Sequence, residues 1–92
     1  MKLTPKLKDY KKSNVEIAKI FRIRFKALRQ SRNMTLDDVA SKLGISRQSI
    51  VYYAMGDRLP KISILVALAK LFNTSTDFLL GLTNERYFAN GE

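Results

Sequence analysis

Two short helix-forming segments meet across a single glycine in the stretch "TLDDVASKLGISRQSIVYYAMG" (residues 35–56). Thr35 is a side-chain cap, and Asp37 and Asp38 follow it where the positive end of a helix dipole favours acids. Leu36, Val39, Ala40 and Leu43 recur at helical spacing and share one inner face. Gly44 supplies the left-handed residue that stops a helix cheaply, Ile45 fills the turn, and Ser46 caps the next helix. Two helices joined this tightly cross at a steep angle, so the rest of the chain must pack around that crossing.

The flanking sequence supplies the elements to do so. Ser13-x-x-Glu16 has the spacing of a capping box, and Ile17, Ile20, Phe21, Phe25 and Leu28 form one helical face behind it. Ile23 falls on the opposite face, while Arg22, Arg24, Lys26, Arg29 and Arg32 make the remaining surface positive, and "SRN" ends this first helix. The third helix runs from about Arg47 to Met55 and stops at Gly56. After "GDRLPK", a fourth covers roughly Lys61 to Phe72 and buries Ile62, Leu65, Leu68, Ala69 and Phe72. A short fifth, "TDFLL", closes at Gly81. No strand pattern or internal repeat is visible. The expectation is a compact all-α domain over residues 13–82, with a basic arm before it (1–12) and a polar tail after it (83–92). The arm, "MKLTPKLKDYKK", carries five lysines and one aspartate and suits either a polyanion backbone or simple solubilisation.

Charge narrows the function. Ninety-two residues carry 17 Lys plus Arg against 8 acids, a formal net charge of +9. Such an excess repels itself and points to a polyanionic partner. The absence of Cys and His removes disulfides, thiol chemistry, the usual zinc sites and the commonest general base. With no clustered carboxylates either, no enzyme, metal or cofactor is expected. The longest apolar run, "ILVALA", is far shorter than the ~20 residues that span a bilayer. The basic N-terminus lacks the apolar segment of a signal peptide, so a cytoplasmic protein is the default.

On a helical wheel of about 100° per residue, Ile50, Tyr53 and Ala54 cluster on the inner side of the third helix. Opposite them lie Gln48 and Tyr52, flanked by Arg47 and Val51 on one side and Ser49 on the other. This face offers planar hydrogen-bonding groups, an aromatic and methyls rather than solubilising charge. Arg pairs with guanine and Gln with adenine in the major groove, and apolar groups meet the thymine methyl. Arg47 suits a base or a phosphate, whereas Tyr52 could instead lie over neighbouring apolar surface.

The stretch resembles the helix-turn-helix of the phage repressor and Cro type, the XRE family. Ala40, Gly44, Val39, Leu43, Ile45 and Ile50 stand where that motif wants them. "FKALRQSRNMT" resembles the family's first helix, and "ILVALAKLFNTSTDFLLGL" its fourth and fifth, so the likeness covers roughly residues 17 to 82. It implies a five-helix, lambda-repressor-like domain that binds double-stranded operator DNA of pseudo-palindromic sequence, usually as a homodimer, and regulates transcription. Carried over by position, it places Arg47, Gln48 and Tyr52 at base edges, with Ser49 and Val51 beside them. Thr35, Ser46, Arg58 and Lys61 would approach phosphates, three of them at helix N-termini, which bind anions readily. Larger repressors of this type carry a further C-terminal domain, for which "NERYFANGE" would be a truncated linker.

The chain also departs from the family pattern. Ala54 replaces a frequent glutamate, which leaves Arg29 free for solvent or phosphate. Leu36 replaces a frequent glutamine, and Met55 a common asparagine. Ile64, Val66 and Leu71 exceed what one helix face buries, and with Leu59 and Ile23 they leave apolar surface for another contact. Leu59 and Ile64 are the candidate dimer contacts. The same surface supports a competing reading: a protein-interaction module, such as an antitoxin or anti-repressor, whose main partner is another protein.

Overall fold

A computed structural model describes residues 13–55 and 58–87 of the chain. These residues form α1 (Ser13–Ser31), α2 (Leu36–Leu43), α3 (Arg47–Ala54), α4 (Ile62–Leu71) and α5 (Thr76–Leu80), and no strand occurs among them. The lysine-rich arm, the side chain of Ser13 with its capping box, the stop at Gly56 and the last five residues lie outside the described set.

One apolar core holds the helices together. Phe21, Phe25 and Leu28 of α1 are buried, with Phe21 stacked on Phe25 at 5.7 Å and Phe25 edge-on to Phe72 at 6.1 Å. Val39 and Ala40 of α2 and Ile50 and Tyr53 of α3 close one side of this core. Leu68, Ala69 and Phe72 of the α4 end and Phe78 and Leu79 of α5 close the other. Each of the larger side chains contributes roughly 1.5–3 kcal/mol by leaving water. Tyr53 belongs to the core, as its wheel position predicts.

Four of the five described helices end in one backbone closure. The second residue past the cap donates its N–H five residues back: Met34 to Arg29 O, Ile45 to Ala40 O, Thr74 to Ala69 O and Leu82 to Asp77 O, at 2.8–3.0 Å. The residue between must be left-handed. Glycine takes that place at Gly44 (φ 68°) and Gly81 (φ 87°), and asparagine at Asn33 (φ 54°) and Asn73 (φ 53°). At Gly81 a side chain would also strike Ile20, whose Cγ2 lies 3.0 Å from the position of an added Cβ.

Three sequence expectations change. Ile62 is 81% exposed rather than buried. It is the first residue of α4, and no side chain covers it there despite its wheel position. Ile64 and Leu71, expected as surplus apolar surface, pack against the core, whereas Ile23, Leu59 and Val66 do remain exposed.

The third change concerns the arginines of α1. Arg24 donates through Nη1 to Phe78 O (2.6 Å) and Thr83 O, and through Nη2 to Asn84 Oδ1 (2.9 Å), with its guanidinium 4.3 Å from the centre of the Phe78 ring. Arg32 donates to Leu71 O (2.8 Å) and Phe72 O (3.0 Å). Arg29 donates through Nη1 to Met34 O (3.0 Å), and its Nε is buried without a partner, so this side of the guanidinium is turned inward rather than to solvent or phosphate. The last carbonyls of a helix lack intrahelical donors, and these side chains supply them. Arg22 and Lys26 stay exposed. The segment beyond α5 is tied down by the same means, since the buried Thr74 hydroxyl also donates to Arg86 O.

Candidate nucleic-acid interface

The joint between α2 and α3 sets the site. Thr35 and Asp38 form a reciprocal capping box at the start of α2: Thr35 N donates to Asp38 Oδ2 (2.8 Å) and Asp38 N to Thr35 Oγ1 (3.0 Å). That backbone N–H, then the Thr35 side chain, then the charge of Lys42, hold the Asp38 carboxyl below its ordinary value. Ser46 starts α3 with a one-way cap, its Oγ accepting from Ser49 N at 3.2 Å. Between the two caps, Ala40 is small enough for α3 to pack closely against α2.

With Ile50 and Tyr53 anchored in the core, the other side of α3 faces outward. Arg47, Gln48 and Tyr52 are exposed there, while Val51 and Ser49 are half-buried. Ser49 Oγ lies 2.9 Å from Ser46 Oγ, so both hydroxyls belong to the cap as well as to the surface. The exposed side chains are not loose. Gln48 Nε2 donates to Tyr52 Oη (2.9 Å), and the Arg58 guanidinium sits 4.9 Å from the centre of the Tyr52 ring. Arg58, Tyr52 and Gln48 thus form one chain of contacts along the face.

Arg47 is held separately. Its Nε lies 2.8 Å from Asp37 Oδ1, with both side chains about two-thirds exposed (67% and 69%). Asp37 is the residue that the sequence reading missed as part of this site, because its place in the first turn of α2 already accounts for an acid there. One signal was available: α3 opens on Arg47 with no acid in its own first turn.

The remaining candidates lie at the starts of α2 and α4, in the loop after α3 and in α4 itself. Thr35 Oγ1 accepts from Asp38 N and its side chain also bonds the Asp38 carboxyl, so the hydroxyl is engaged in its own cap. Lys61 precedes α4, and no side chain caps that helix, so this N-terminus is less occupied than that of α2. Behind α3, Ala54 lines an open groove of about 390 Å³ together with Arg22, Ile23 and Lys26. Leu59 is exposed near Arg58, whereas Ile64 is half-buried in α4. Among the described residues no three His, Cys, Asp or Glu gather as a metal site, and no helix is long and apolar enough to cross a membrane.

Three helices around a capped α2–turn–α3 pair, among the described residues, define a helix-turn-helix protein with a lambda-repressor-like fold. Residues 25–79 match the family model described as helix-turn-helix, and the chain belongs to that family, in its XRE-type branch. It is similar to three proteins of Bacillus subtilis (strain 168). One is named as the uncharacterized HTH-type transcriptional regulator YobD, 36% identical over 62 residues, which are 67% of this chain and 55% of that one. The HTH-type transcriptional regulator AnsR is 36% identical over 66 residues, 72% of this chain and 57% of its own. The HTH-type transcriptional regulator ImmR is 38% identical over 58 residues, 63% and 46% respectively. The chain spans about half the length of these relatives. No solved structure matches it.

Proposed function

We propose that this chain is a sequence-specific, double-stranded-DNA-binding transcriptional regulator that represses by occupying its operator and reads the major groove with α3. The observation that carries this is the division of α3: Ile50 and Tyr53 fix it in the core, while Arg47, Gln48 and Tyr52 stand out from it. A helix fits the major groove, and these groups match base edges there. Thr35 and Ser46 at the starts of α2 and α3, Arg58 beside Tyr52 and Lys61 before α4 would meet the phosphates that fix register. The relatives' names as transcriptional regulators support the same reading.

Binding as a homodimer to a pseudo-palindromic operator is part of the proposal. Leu59, with Ile62 and Val66 beside it in sequence, supplies exposed apolar side chains near the α4 start, and Ile64 lies at the margin of the same stretch. A regulator of this kind works in the cytoplasm, with no catalytic step and no cofactor.

The test is selection of bound duplexes from a randomised DNA library at low and near-physiological salt. A two-fold symmetric motif recovered at both salts is the expected result. Loss of all enrichment as salt rises would reduce the affinity to the +9 charge alone. The exposed Ile23 beside the Arg22–Lys26 groove would then become the place to seek a protein partner.

A further inference from the structure

We infer that Asp37 is a specificity-determining residue of the reading face, holding Arg47 so that its guanidinium tip is offered to a base edge and withheld from phosphate. The inference rests on the proposal that α3 enters the major groove. Its starting point is the shape of the ion pair. Asp37 Oδ1 meets Arg47 at Nε, on the side of the guanidinium, at 2.8 Å. The paired Nη groups at the tip are the fork that matches guanine O6 and N7.

Both partners are exposed, so the pair contributes little to folding and needs another explanation. Its consequences for the two modes of DNA contact differ. An Arg47 that forks onto guanine with its tip can keep Asp37 at its side. An Arg47 that swings away to a phosphate breaks the pair and leaves Asp37 uncompensated beside a polyanion. Asp38 cannot take over as its counter-charge, being engaged in the Thr35 capping box. The carboxylate therefore penalises the sequence-blind contact and spares the sequence-specific one. Gln48 is held on the same face by a neutral partner, Tyr52. Of the two, only the charged reader, the one phosphate would attract, has an acid beside it.

The experiment compares affinities for the selected operator and for a scrambled duplex, at fixed salt, across four variants of the full chain. Asp37→Asn keeps the shape and removes the charge. Asp77→Asn removes the same charge from the first turn of α5, outside the α2–α3 joint. Arg47→Ala and the double variant with Asp37→Asn complete the set, each first checked for unchanged thermal unfolding. For Asp37→Asn we expect the scrambled duplex to bind several-fold more tightly with no matching gain on the operator, so that discrimination falls by the same factor. Asp77→Asn should move both affinities by one common factor, and Asp37→Asn should add no loss of discrimination once Arg47 is gone. If Asp37→Asn instead behaves as Asp77→Asn does, while Arg47→Ala still loses discrimination, the inference is overturned and the base-reading by α3 stands. If Arg47→Ala weakens both duplexes equally, Arg47 is a phosphate contact, and the reading of α3 at that position falls with the inference built on it.

Discussion

The arginines of α1 and those around α3 are the same residue in two different roles. Arg24, Arg29 and Arg32 turn back onto carbonyls at or just beyond the ends of α5, α1 and α4. Arg47 and Arg58 stay outside, held by an exposed carboxylate and an exposed ring. The net charge of +9 is therefore not a uniform coat. Part of it fastens the helix ends, and part is presented on the outward side of the α2–α3 joint. What separates the two roles is proximity to unsatisfied carbonyls, which tertiary packing decides.

The severest way to break the comparison is at the joint that both regions depend on. Ala40→Glu forces a carboxylate into a site 4% exposed between α2 and α3. An uncompensated charge there should cost about 3–5 kcal/mol, enough to unfold much of a small domain. Denaturant unfolding measures it directly, and a variant of full stability would contradict the packing described.

Next comes the clamp. Arg24→Met keeps an apolar stem against Phe78 but loses the donors to Phe78 O, Thr83 O and Asn84. A charged donor removed from half-buried carbonyls should lower stability by roughly 2–3 kcal/mol. Discrimination between operator and scrambled duplex should not change. Arg47→Ala is the mirror case: roughly 1–3 kcal/mol lost on the operator, with preference relaxed at one base pair, and stability within about 0.5 kcal/mol of the parent. If both variants shifted stability and binding together, the division of labour among the arginines would be wrong.

The sequence carries the local half of this picture. Helix periods, the caps at Thr35 and Ser46 and the stop at Gly44 are readable because each depends on residues within a turn or two of one another. The inner face of α3 was legible for the same reason. What was not legible depends on distant chain. The carbonyls that Arg24 and Arg32 reach lie 39 to 59 residues away. Asn33 and Asn73 take the left-handed conformation that glycine takes elsewhere, which the residue type alone does not specify. Ile62 has the right phase for burial but no side chain covers it. Asp37 was explained by its own helix, which hid its contact with the next one.

The smallest effect separates the two kinds of helix-end contact by acid. The Asp38 carboxyl is held below its ordinary value of 3.8, chiefly by the Thr35 backbone N–H and then by the Thr35 side chain. A group whose folded value is depressed contributes stability above its unfolded value and loses it as pH falls through the folded one. This cap should therefore be fully present at neutral pH and weaken only below about pH 4. The arginine clamps bond to backbone carbonyls, which do not titrate, so their contribution should be flat over the same range. Urea unfolding of the parent and of Asp38→Asn from neutral pH down to about pH 2.5 tests both points. The difference between the two proteins should shrink as the pH drops, whereas the difference between the parent and Arg24→Met should hold steady. A parent–Asp38→Asn difference that ignored pH would mean that the carboxylate's charge has no part in capping α2.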